Sequence, residues 1–575
     1  MFFSLGSKGI NLPILDVSLS RIQELLGKRI TLEELEDLLF RFGMELDSYE
    51  KINGDYMLKI EITPDRPDML SPIGLARALR MYVGMDEPKK YVVEKGDYAF
   101  IIDSSVAEIR PYIAGVVVKK VPMNQEFLEE IIYVQEKLHD TFCRGRKKAS
   151  IGLYPLHKLK WPIRYTTEDP EKIKFRPLDT LEEMTGKEIL EKHPTGIKYA
   201  HLLKNARRYP LLIDAENHIL SMPPIINSED YGKIDATTRD LLVEVTGTHK
   251  PTVEMVINIL ATMFADAGGE LITVKIKYPD KTEESPYFKY RKLSVSLKQI
   301  EDLLGLKISA SDAVKLLKRM GYFAKETNNE LIEVEVPPYR TDIWHVVDVI
   351  DDVARAYCYD NIQPELTPIF TVGGETKRQE MIDTVREVLL GLGFSELFTF
   401  ALTSFEDQFT KMRLPEKREI VIAEAKEAKI QTIRYWLLPE ILKSLSYNRR
   451  KKLPFKVFEV SDVVIRDDKF ETRAYNETHV AVVIVDPNVT FTDIKAVAEH
   501  LLNALGVKYE LKRVHHPSFI EGRVVGVYVN GKEVGFFGEL HPEVLLNWKL
   551  TFPTVAMELS LDKIFGWEPR LLEIA

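Results

Sequence analysis

Four aspartates follow one another closely along the chain, and their side chains are of the type that holds metal ions. They are Asp342, Asp348, Asp351 and Asp352. On a helix, spacings of three and four residues place carboxylates on neighbouring turns of one broad face. Clustered carboxylates repel one another and favour an oxygen-seeking divalent cation, with Mg²⁺ preferred where water completes the shell. Acidic side chains can instead complement the N-terminus of a helix, so the spacing leaves both interpretations open.

Basic residues form four short runs, at 144–148, 207–208, 291–292 and 449–452. The formal net charge of −10 argues against a protein whose whole surface binds nucleic acid. Each run is therefore either a local binding patch or ordinary solvated charge, and the sequence alone favours the second interpretation.

Several other kinds of chemistry have no motif in the sequence. It contains no P-loop, no dinucleotide-binding glycine fingerprint, no zinc-ligand spacing and no nucleophile elbow. The two cysteines, Cys143 and Cys358, cannot form a disulfide framework, which favours a cytoplasmic location. No apolar run approaches about 18 residues, and the first eight residues lack the pattern of a signal peptide. We therefore expect no membrane association.

The elements that position the aspartates belong to an internal repeat. A stretch from Leu15 to about residue 84 matches a second stretch from Leu293 to about residue 360. The matched pairs include Glu61 with Glu335, Pro64 with Pro338, Arg66 with Arg340, and Asp68 with Asp342. Each copy is predicted to contain two helices, a strand and a third helix, with Gly43 and Gly321 ending the second helix. Asp348, Asp351 and Asp352 have no acidic counterpart in the first copy.

The regions outside the repeat are predicted to be rich in strands. In the middle region, apolar runs predict strands over 114–119, 211–214 and 241–245. The C-terminal region is predicted to be α+β, with a helix over 380–390 and a hairpin at Asn530-Gly531. Its further predicted strands cover 398–402, 457–460 and 480–485.

The residues around the aspartates resemble a known family. Arg340-Thr-Asp-Ile-Trp344, followed by the other aspartates, resembles the B5 domain of phenylalanyl-tRNA synthetase β subunits. The first copy, with Arg66-Pro-Asp68, resembles their B1 domain, and the stretches 223–228 and 237–244 resemble their B3/B4 editing domain. The chain lacks the inserted oligonucleotide-binding domain and the C-terminal anticodon-binding domain of the bacterial form. The resemblance is therefore to the archaeal and eukaryotic type.

This resemblance implies a multidomain α+β fold with four domains. The B1-like domain would cover residues 12–95, and a β-rich B3/B4-like editing domain would cover 96–285. A B5-like domain, related to B1 and similar to DNA-binding domains, would cover 286–365. A catalytic-like B6/B7 domain, built on the antiparallel sheet of class II synthetases, would cover 366–575.

The resemblance also implies two sets of site residues. In the family, acidic residues at the spacings of Asp342, Asp348, Asp351 and Asp352 bind Mg²⁺ at the boundary with the α subunit, although glutamate is often found at the last two positions. Glu244 falls where the family recognises the side chain of tyrosine. A site built to accept the tyrosine hydroxyl should reject phenylalanine, because phenylalanine would leave the buried carboxylate unpaired.

The editing reaction has no obvious catalytic pair in this sequence. His201, His218 and His249 are isolated, which is more typical of surface or packed histidines than of general bases. We hypothesise instead that Asn227, Ser228 or Thr246 positions a water, assisted by a hydroxyl of the tRNA itself.

The C-terminal domain is expected to be a pseudo-catalytic scaffold. A class II site binds the phosphates of ATP with arginine, because a guanidinium can contact two phosphate oxygens at once. Here Lys456 stands at that position of the strand Lys456-Val-Phe-Glu459, and lysine is not an equivalent substitute. We expect this domain to pack against α subunits, with the helix near 378–390 close to the interface.

The function implied is that of a β subunit of phenylalanine–tRNA ligase. With a catalytic α subunit, as an α2β2 heterotetramer, it would charge tRNA(Phe) using ATP and would hydrolyse mischarged tyrosyl-tRNA(Phe). Two alternatives stay open, a free-standing hydrolase of mischarged tRNA and an assembly scaffold without catalysis.

Overall fold

The computed structural model describes residues 13–328, 330–367, 369–423, 425, 427, 429–449, 451–568 and 570–571. The first eight residues, on which the expectation about a signal peptide rests, lie outside this range. No helix among the described residues is long and apolar enough to cross a membrane. The chain forms two compact units, which divide between Leu366 and Thr367.

The first copy of the repeat folds as a three-stranded antiparallel sheet covered by helices. Its elements are β1 (Ile14–Ser18), α1 (Leu19–Leu26), α2 (Leu32–Phe42), β2 (Glu45–Ile52), β3 (Asp55–Glu61) and α3 (Pro72–Tyr82). The strand order is β1-β3-β2. Thr31 begins α2 with a capping box, and Gly43 ends it in the left-handed conformation at φ 94°. The predicted helices and β3 are confirmed, whereas β1 and β2 were not predicted.

The middle region, between the two copies, is built on one large sheet. Its elements are β4 (Val93–Ile102), β5 (Tyr112–Lys119), α4 (Gln125–Asp140), β6 (Ala149–Pro155), β7 (Ile163–Glu168), β8 (Lys174–Phe175), β9 (Met184–Thr185), α5 (Gly186–Lys192), α6 (Pro194–Tyr199), β10 (Tyr209–Ile213), β11 (Ile219–Met222), β12 (Ile226–Asn227), β13 (Leu241–Gly247), α7 (Lys250–Asp266), β14 (Glu270–Lys277) and β15 (Thr282–Ser285). The ten-stranded sheet has the order β12-β11-β10-β7-β4-β14-β5-β13-β6, with β15 beside β14. Helix α7 packs against β5 and β13. The three strands predicted here are confirmed.

The second copy repeats the order of elements of the first. Its elements are β16 (Arg291–Ser296), α8 (Leu297–Leu304), α9 (Ala310–Arg319), β17 (Phe323–Asn328), β18 (Leu331–Val336) and α10 (Val346–Tyr357). The strand order β16-β18-β17 matches that of the first copy. Gly27 and Gly305 end the first helix of each copy at φ 69° and 70°. The predicted repeat is therefore a repeat of structure.

The two copies pack against each other in a reciprocal way. Helix α3 of the first copy contacts α9 of the second, and α10 of the second copy contacts α2 of the first. Reciprocal contact between equivalent elements is the arrangement of a two-fold symmetric dimer, here formed within one chain. Arg319 supports this interface, because its guanidinium donates to the backbone oxygens of Tyr82 and Ala356.

Each copy contributes one buried arginine–aspartate pair to this interface. Arg66 binds Asp68 through two hydrogen bonds of 2.9 and 3.0 Å, and Arg340 binds Asp342 in the same way at 2.8 and 2.6 Å. Arg66 Nε also lies 4.0 Å from Asp342 Oδ1, which joins the two pairs. Such bidentate pairs supply the hydrogen bonds that buried charges need.

Arg77 extends this network to the middle region. Its guanidinium lies 3.2 Å from Asp68 and 2.8 Å from Asp266, the last residue of α7. The guanidinium also stacks 3.7 Å from the centre of the Tyr339 ring. One connected set of buried charges therefore contacts both copies and the large sheet's helix.

The second unit is built on an eight-stranded sheet. Its elements are α11 (Lys377–Gly391), β19 (Ser395–Glu396), β20 (Leu402–Thr403), α12 (Phe405–Gln408), β21 (Thr432–Ile433), α13 (Leu438–Asn448), β22 (Phe455–Arg466), β23 (Ala474–Val485), α14 (Phe491–Ala504), β24 (Glu510–Arg513), β25 (Phe519–Val529), β26 (Lys532–Leu540), α15 (Pro542–Asn547), β27 (Thr554–Ser560), α16 (Leu561–Phe565) and β28 (Arg570–Leu571). The order is β19-β22-β23-β27-β26-β25-β24, with β28 beside β23. Helices α11, α14 and α16 share a core on one face, and α13 and α15 pack on the other.

One strand predicted for the second unit is wrong. The segment 398–402 was predicted to be a strand, but pairing ends at Glu396 and resumes only at Leu402. Thr399 turns inward and donates to Glu459, whereas Phe398 and Phe400 are exposed. The alternating residues Phe398 and Phe400 therefore belong to an extended segment that pairs with no neighbouring strand among the described residues, and their side chains face solvent.

Asp68→Asn should lower the free energy of unfolding of the first unit by about 3–5 kcal/mol, because Arg66 and Arg77 would stay buried without a full countercharge. Urea unfolding of the full chain, followed by circular dichroism, measures this loss. Asp37→Asn is the control, since Asp37 forms an exposed ion pair with Arg41 and should cost less than about 1 kcal/mol. Equal losses for the two variants would contradict a stabilising role for the buried network.

Candidate functional site

Strand β13 carries Glu244 through the centre of the large sheet. It pairs with β5 on one side and β6 on the other, and all seven of its residues are buried. Successive side chains of a strand point to opposite faces. Leu241, Val243 and Val245 therefore join the core beneath α4 and α7, and Glu244 points to the other face.

The Glu244 carboxylate is buried with only one of its oxygens bonded. Glu244 is 2% exposed, and the Tyr154 hydroxyl donates to its Oε2 at 3.1 Å. The same hydroxyl lies 2.8 Å from Ser221 Oγ. Glu244 Oε1 has no hydrogen-bond partner among the described residues. A buried acceptor without a donor is costly, which marks this oxygen as a position where a ligand can donate.

Burial raises the pKa of Glu244 to about 7, because a carboxylate loses its hydration in this environment. The hydrogen bond from Tyr154 and the charge of Arg110 favour the ionised form and partly offset this effect. The carboxyl group therefore titrates near neutral pH.

A glycine on the neighbouring strand β6 makes room for this carboxylate. Glu244 lies opposite Gly115 on β5 and Gly152 on β6. A Cβ atom at Gly152 would stand 2.5 Å from the Tyr154 hydroxyl and 2.6 Å from Glu244 Oε2, so no larger residue fits without moving them.

Glu244 lines a cavity of about 430 Å³ together with one other predicted site residue, Asn227. The Asn227 amide donates to the backbone oxygens of Leu153 and Gly232, both at 3.3 Å. This volume suits a small organic side chain with part of its carrier. Tyr154 and Ser221 also line the cavity but were missed by sequence reasoning, because they come from β6 and β11, which are distant from Glu244 along the chain.

The other two predicted site residues lie outside the lining of the cavity. Thr246 accepts a hydrogen bond from Arg110 Nε at 3.1 Å and lies 3.1 Å from Ser150 Oγ. Ser228 is buried, and its hydroxyl accepts from the backbone of Asp230. Thr246 thus holds Arg110 in the wall behind Glu244, and Ser228 stabilises a turn.

A second network of polar side chains forms one wall of the cavity. Arg146 donates to Glu136 at 2.9 Å, and its guanidinium stacks 4.2 Å from the centre of the Tyr199 ring. His139 lies 3.0 Å from Glu136, and its Nε2 accepts from the backbone of Ile151. The hydrogen bond with His139, with the charge of Arg146, lowers the pKa of Glu136 to about 2.

The histidines of this region do not form a catalytic pair in the cavity. His201, His218 and His249 are not among its lining residues. His193 does line it, but its Nδ1 accepts from the backbone of Thr195 and its Nε2 lies 3.1 Å from the carbonyl oxygen of Leu178. Both ring nitrogens of His193 are therefore occupied.

The four aspartates predicted to bind Mg²⁺ are engaged by other groups of the protein. Asp352 Oδ2 lies 2.6 Å from Arg340 Nη2, which also binds Asp342. Burial would raise the pKa of Asp342, but the charges of Arg340 and Arg66 outweigh it and hold the pKa at about 2. Asp342 and Asp352 are thus already paired with the guanidinium of Arg340.

The remaining two aspartates have local partners. Asp348 accepts from the backbone of Trp344 and His345, both at 2.7 Å, so it caps the N-terminus of α10. Asp351 pairs with Arg355 at 2.9 Å. Among the described residues, no group of three or more histidine, cysteine, aspartate or glutamate side chains is placed to hold a metal ion. As arranged here, the carboxylates bind two arginines and cap a helix, so Mg²⁺ would have to displace these partners.

Strand β22 carries the residues expected to mark a pseudo-catalytic site, and Glu459 among them is bound by another side chain of the protein. Glu459 on β22 is fully buried and accepts from Arg434 at 2.8 Å. Lys456 is exposed, with its ammonium 5.8 Å from the centre of the Phe394 ring. Neither residue extends into a shared open site.

A buried histidine joins two strands of the same sheet. His479 on β23 lies 2.7 Å from Glu558 on β27 and 2.9 Å from Glu477. Burial would lower the pKa of His479, but its hydrogen bonds with the two glutamates outweigh it and raise the pKa to about 9. Glu558 also accepts from the backbone of Leu437 and Leu438, so this ion cluster fixes the start of α13.

Three family models match the chain. Residues 12–85 match the B1 domain of the Phe-tRNA synthetase β subunit, and residues 293–359 match the tRNA synthetase B5 domain. Residues 362–561 match the CLM domain of the phenylalanyl-tRNA synthetase β chain.

Whole-length relatives give the same result. The phenylalanine–tRNA ligase β subunit of Thermococcus onnurineus is 38% identical, over 97% of this chain and 100% of the relative. That of Methanocaldococcus jannaschii is 36% identical, over 96% of this chain and 100% of the relative. The chain belongs to the phenylalanine–tRNA ligase β-subunit family. The predicted B1-like and B5-like domains are thereby confirmed.

A solved structure of this family resembles the first unit. The crystal structure of an N-terminal fragment of the phenylalanyl-tRNA synthetase β subunit from Pyrococcus horikoshii is 36% identical, with a TM-score of 0.58. It covers 60% of this chain, and this chain covers 99% of it. The fold of the first unit is therefore similar to that of this fragment.

Glu244→Gln should raise the free energy of unfolding above pH 7 relative to the parent chain. The folded-state pKa of Glu244 is about 7, above its ordinary value of 4.5, so its ionisation removes stability as the pH rises from about 4.5 to about 7. At about 1.4 kcal/mol per pKa unit, this amounts to on the order of 3 kcal/mol. Urea unfolding of the variant and the parent at pH 5 and pH 8 measures this difference in unfolding free energy.

The control for this measurement is Glu94→Gln, because Glu94 is exposed on β4. Its unfolding free energy should differ from that of the parent by the same small amount at both pH values. A gain for Glu244→Gln that does not depend on pH would contradict the raised pKa, because the carboxyl group would then be ionised in the folded and the unfolded chain alike across this range.

Proposed function

We propose that the chain works with a catalytic α subunit, as an α2β2 heterotetramer that charges tRNA(Phe) with phenylalanine using ATP. We further propose that residues 96–285 form a B3/B4-like editing domain that hydrolyses tyrosyl-tRNA(Phe). The observation that carries this second proposal is Glu244, which lines a cavity of about 430 Å³ and whose buried Oε1 has no donor among the described residues.

Recognition of tyrosine follows from the chemistry of this oxygen. The phenol of a tyrosyl ester can donate to Glu244 Oε1, which satisfies both groups. Phenylalanine has no donor, so its entry would exclude water and leave the carboxylate unpaired. Sites that hydrogen-bond a substrate hydroxyl reject analogues without it by large factors. The cavity therefore selects the mischarged product and spares the correct one.

Hydrolysis in this proposal uses water and the substrate's own groups. The nitrogens of His193 are occupied, so the protein offers no free imidazole base in the cavity lining. Asn227 lines the cavity and can orient a water, with a hydroxyl of the terminal ribose assisting. Ser228 and Thr246, which support the wall, act only by holding it in place.

The proposal of a partner subunit rests on an exposed apolar row in the second unit. Phe398, Phe400 and Leu402 are 92%, 87% and 48% exposed and alternate along one segment. Exposed aromatic side chains in a contiguous row are typical of protein interfaces. This row favours a subunit of a complex over a free-standing hydrolase, and it follows α11, the helix expected to lie near the interface.

The eight-stranded sheet of the second unit is proposed to be a catalytic-like module of the class II type that has lost its reaction. Arg434 is committed to Glu459, and Lys456 is a point charge that cannot clamp phosphates in two places. The ATP site would then belong to the α subunit. Binding of Mg²⁺ by Asp342, Asp348, Asp351 and Asp352 stays a prediction, and it requires Arg340 to release its carboxylates.

Glu244→Ala should slow hydrolysis of tyrosyl-tRNA(Phe) by the assembled complex about 10- to 100-fold, because a hydrogen bond to a charged group contributes about 1.5–3 kcal/mol. Deacylation is followed with tRNA carrying radiolabelled tyrosine, and charging with phenylalanine should be unchanged. Glu94→Ala is the control. Full hydrolytic activity in Glu244→Ala would contradict the role proposed for Glu244, and a parent complex without hydrolytic activity would favour an assembly scaffold whose cavity does no editing.

Phe398→Ser combined with Phe400→Ser should weaken assembly with the α subunit by about 100-fold or more, because burying each phenylalanine contributes about 1.5–3 kcal/mol. Sedimentation velocity measures assembly, and charging of tRNA should fall with it. Leu546→Ser is the matched control, since Leu546 is 75% exposed on α15 of the same unit. Charging by this chain alone would contradict the proposed division of labour.

A further inference from the structure

A large groove crosses the first unit at a place that the proposed editing cavity does not use. It has a volume of about 1040 Å³. Its walls come from both copies of the repeat, from the loop 141–148 after α4, and from the start of α7. We call it the basic groove because of the residues that follow.

Two of the four basic runs meet in this groove. Arg144 and Lys148 come from the first run, Arg291 begins the third, and Lys289 lies just before it. Among the described residues, none of these four side chains forms an ion pair with a carboxylate. The nearby Arg146 and Lys292 do form such pairs, with Glu136 and Glu333.

Acidic residues in the groove do not cancel this charge. Glu254 lies 3.7 Å from Lys250, which shares its charge, and Arg340 is already paired with Asp342. Asp140 is the further acidic residue of the lining. The groove thus carries a net positive charge within a chain of net charge −10, which favours a negatively charged ligand.

An exposed aromatic ring stands at the groove in a fixed position. Trp344 lines the groove and is 82% exposed. Its indole N–H donates to the backbone oxygen of Thr341 at 2.8 Å, and its backbone N–H donates to Asp348 at 2.7 Å. The ring is therefore held in place with its surface open, which is what a platform for stacking a planar group needs.

The N-terminus of α7 adds to the positive potential. His249, Pro251 and Thr252, at the start of this 17-residue helix, line the groove. The N-terminus of a helix carries partial positive charge and binds phosphate oxygens. Here it accompanies the unpaired cations and the exposed ring, so three independent features favour the same ligand chemistry.

We infer that the basic groove binds a single-stranded segment of RNA, with its phosphates on the cations and a base stacked on Trp344. Unpaired cations beside an exposed aromatic ring are how proteins bind single strands. The inference rests on the proposed function, in which tRNA is the substrate. The loop that supplies Arg144 also supplies Arg146 to the editing cavity, so RNA in the groove lies beside that cavity.

The test is the affinity of the assembled complex for fluorescently labelled tRNA(Phe), measured by anisotropy across a salt series. Arg144→Ala combined with Arg291→Ala should weaken binding about tenfold. It should also reduce the slope of log affinity against log salt by roughly 1.4, about 0.7 for each lost phosphate contact on a single strand. Trp344→Ala should weaken binding at least about fivefold with an unchanged slope, because stacking releases no ions.

The matched control is Lys204→Ala combined with Arg207→Ala, which removes two exposed cations elsewhere in the middle region. Its affinity and salt slope should equal those of the parent complex. Parent-like binding by the Arg144, Arg291 and Trp344 variants would overturn the inference. Loss of the α subunit from those variants would also overturn it, since the groove would then hold an acidic segment of the partner.

Failure of the proposed function gives a different result. A parent complex that neither binds nor charges tRNA(Phe) would contradict that function before any variant is compared. A parent complex that charges tRNA normally, with groove variants that bind it equally well, would contradict only the inference about the groove.

Discussion

The first unit depends on placing arginines and aspartates together away from water. Arg66 and Arg340 are buried and the side chain of Arg77 is only 9% exposed, so each would be costly without a carboxylate beside it. Arg66 and Arg340 each bind a carboxylate of their own copy. The approach of Arg66 to Asp342 and the pairing of Arg77 with the end of α7 join these pairs across the two copies and the middle region. The network therefore fixes the relative positions of three parts of the unit more specifically than apolar packing would. It also explains why Asp342 and Asp352 are not available as an open set of metal ligands.

Burying a charge is also costly at Glu244, but there the fold compensates the cost only in part. In the network at the repeat interface, every carboxylate faces a guanidinium, and burial is compensated. At Glu244 the fold provides one donor, from Tyr154, and leaves the second oxygen without one. The protein accepts this cost at Glu244, where Gly152 on the neighbouring strand leaves space for the carboxylate. An uncompensated buried charge at the edge of a cavity is the physical signature of a recognition site.

Local signals in the sequence were enough to predict much of the fold. Gly43 and Gly321 follow the ends of α2 and α9 in the left-handed conformation, as predicted, and the repeat is a repeat of structure. Strands β1 and β2 were missed because only pairing with β3 stabilises them, and 398–402 was predicted wrongly because alternation also describes an exposed extended segment. The carboxylate spacing could not show that Arg340 takes two of the aspartates. Tyr154 and Gly152 reach Glu244 through a register between distant strands, which no local pattern contains.

The reciprocal packing of the two copies has a consequence for synthesis on the ribosome. Roughly two hundred residues separate the end of α3 from the start of the second copy, which takes on the order of 10 to 40 seconds to translate at about 5–20 residues per second. During that time α2 and α3 are complete, but the helices that cover them do not yet exist. Because the interface is reciprocal, a second copy from a neighbouring chain could cover them equally well. Domain-swapped dimers are therefore the misfolded product that this architecture favours when nascent chains are crowded.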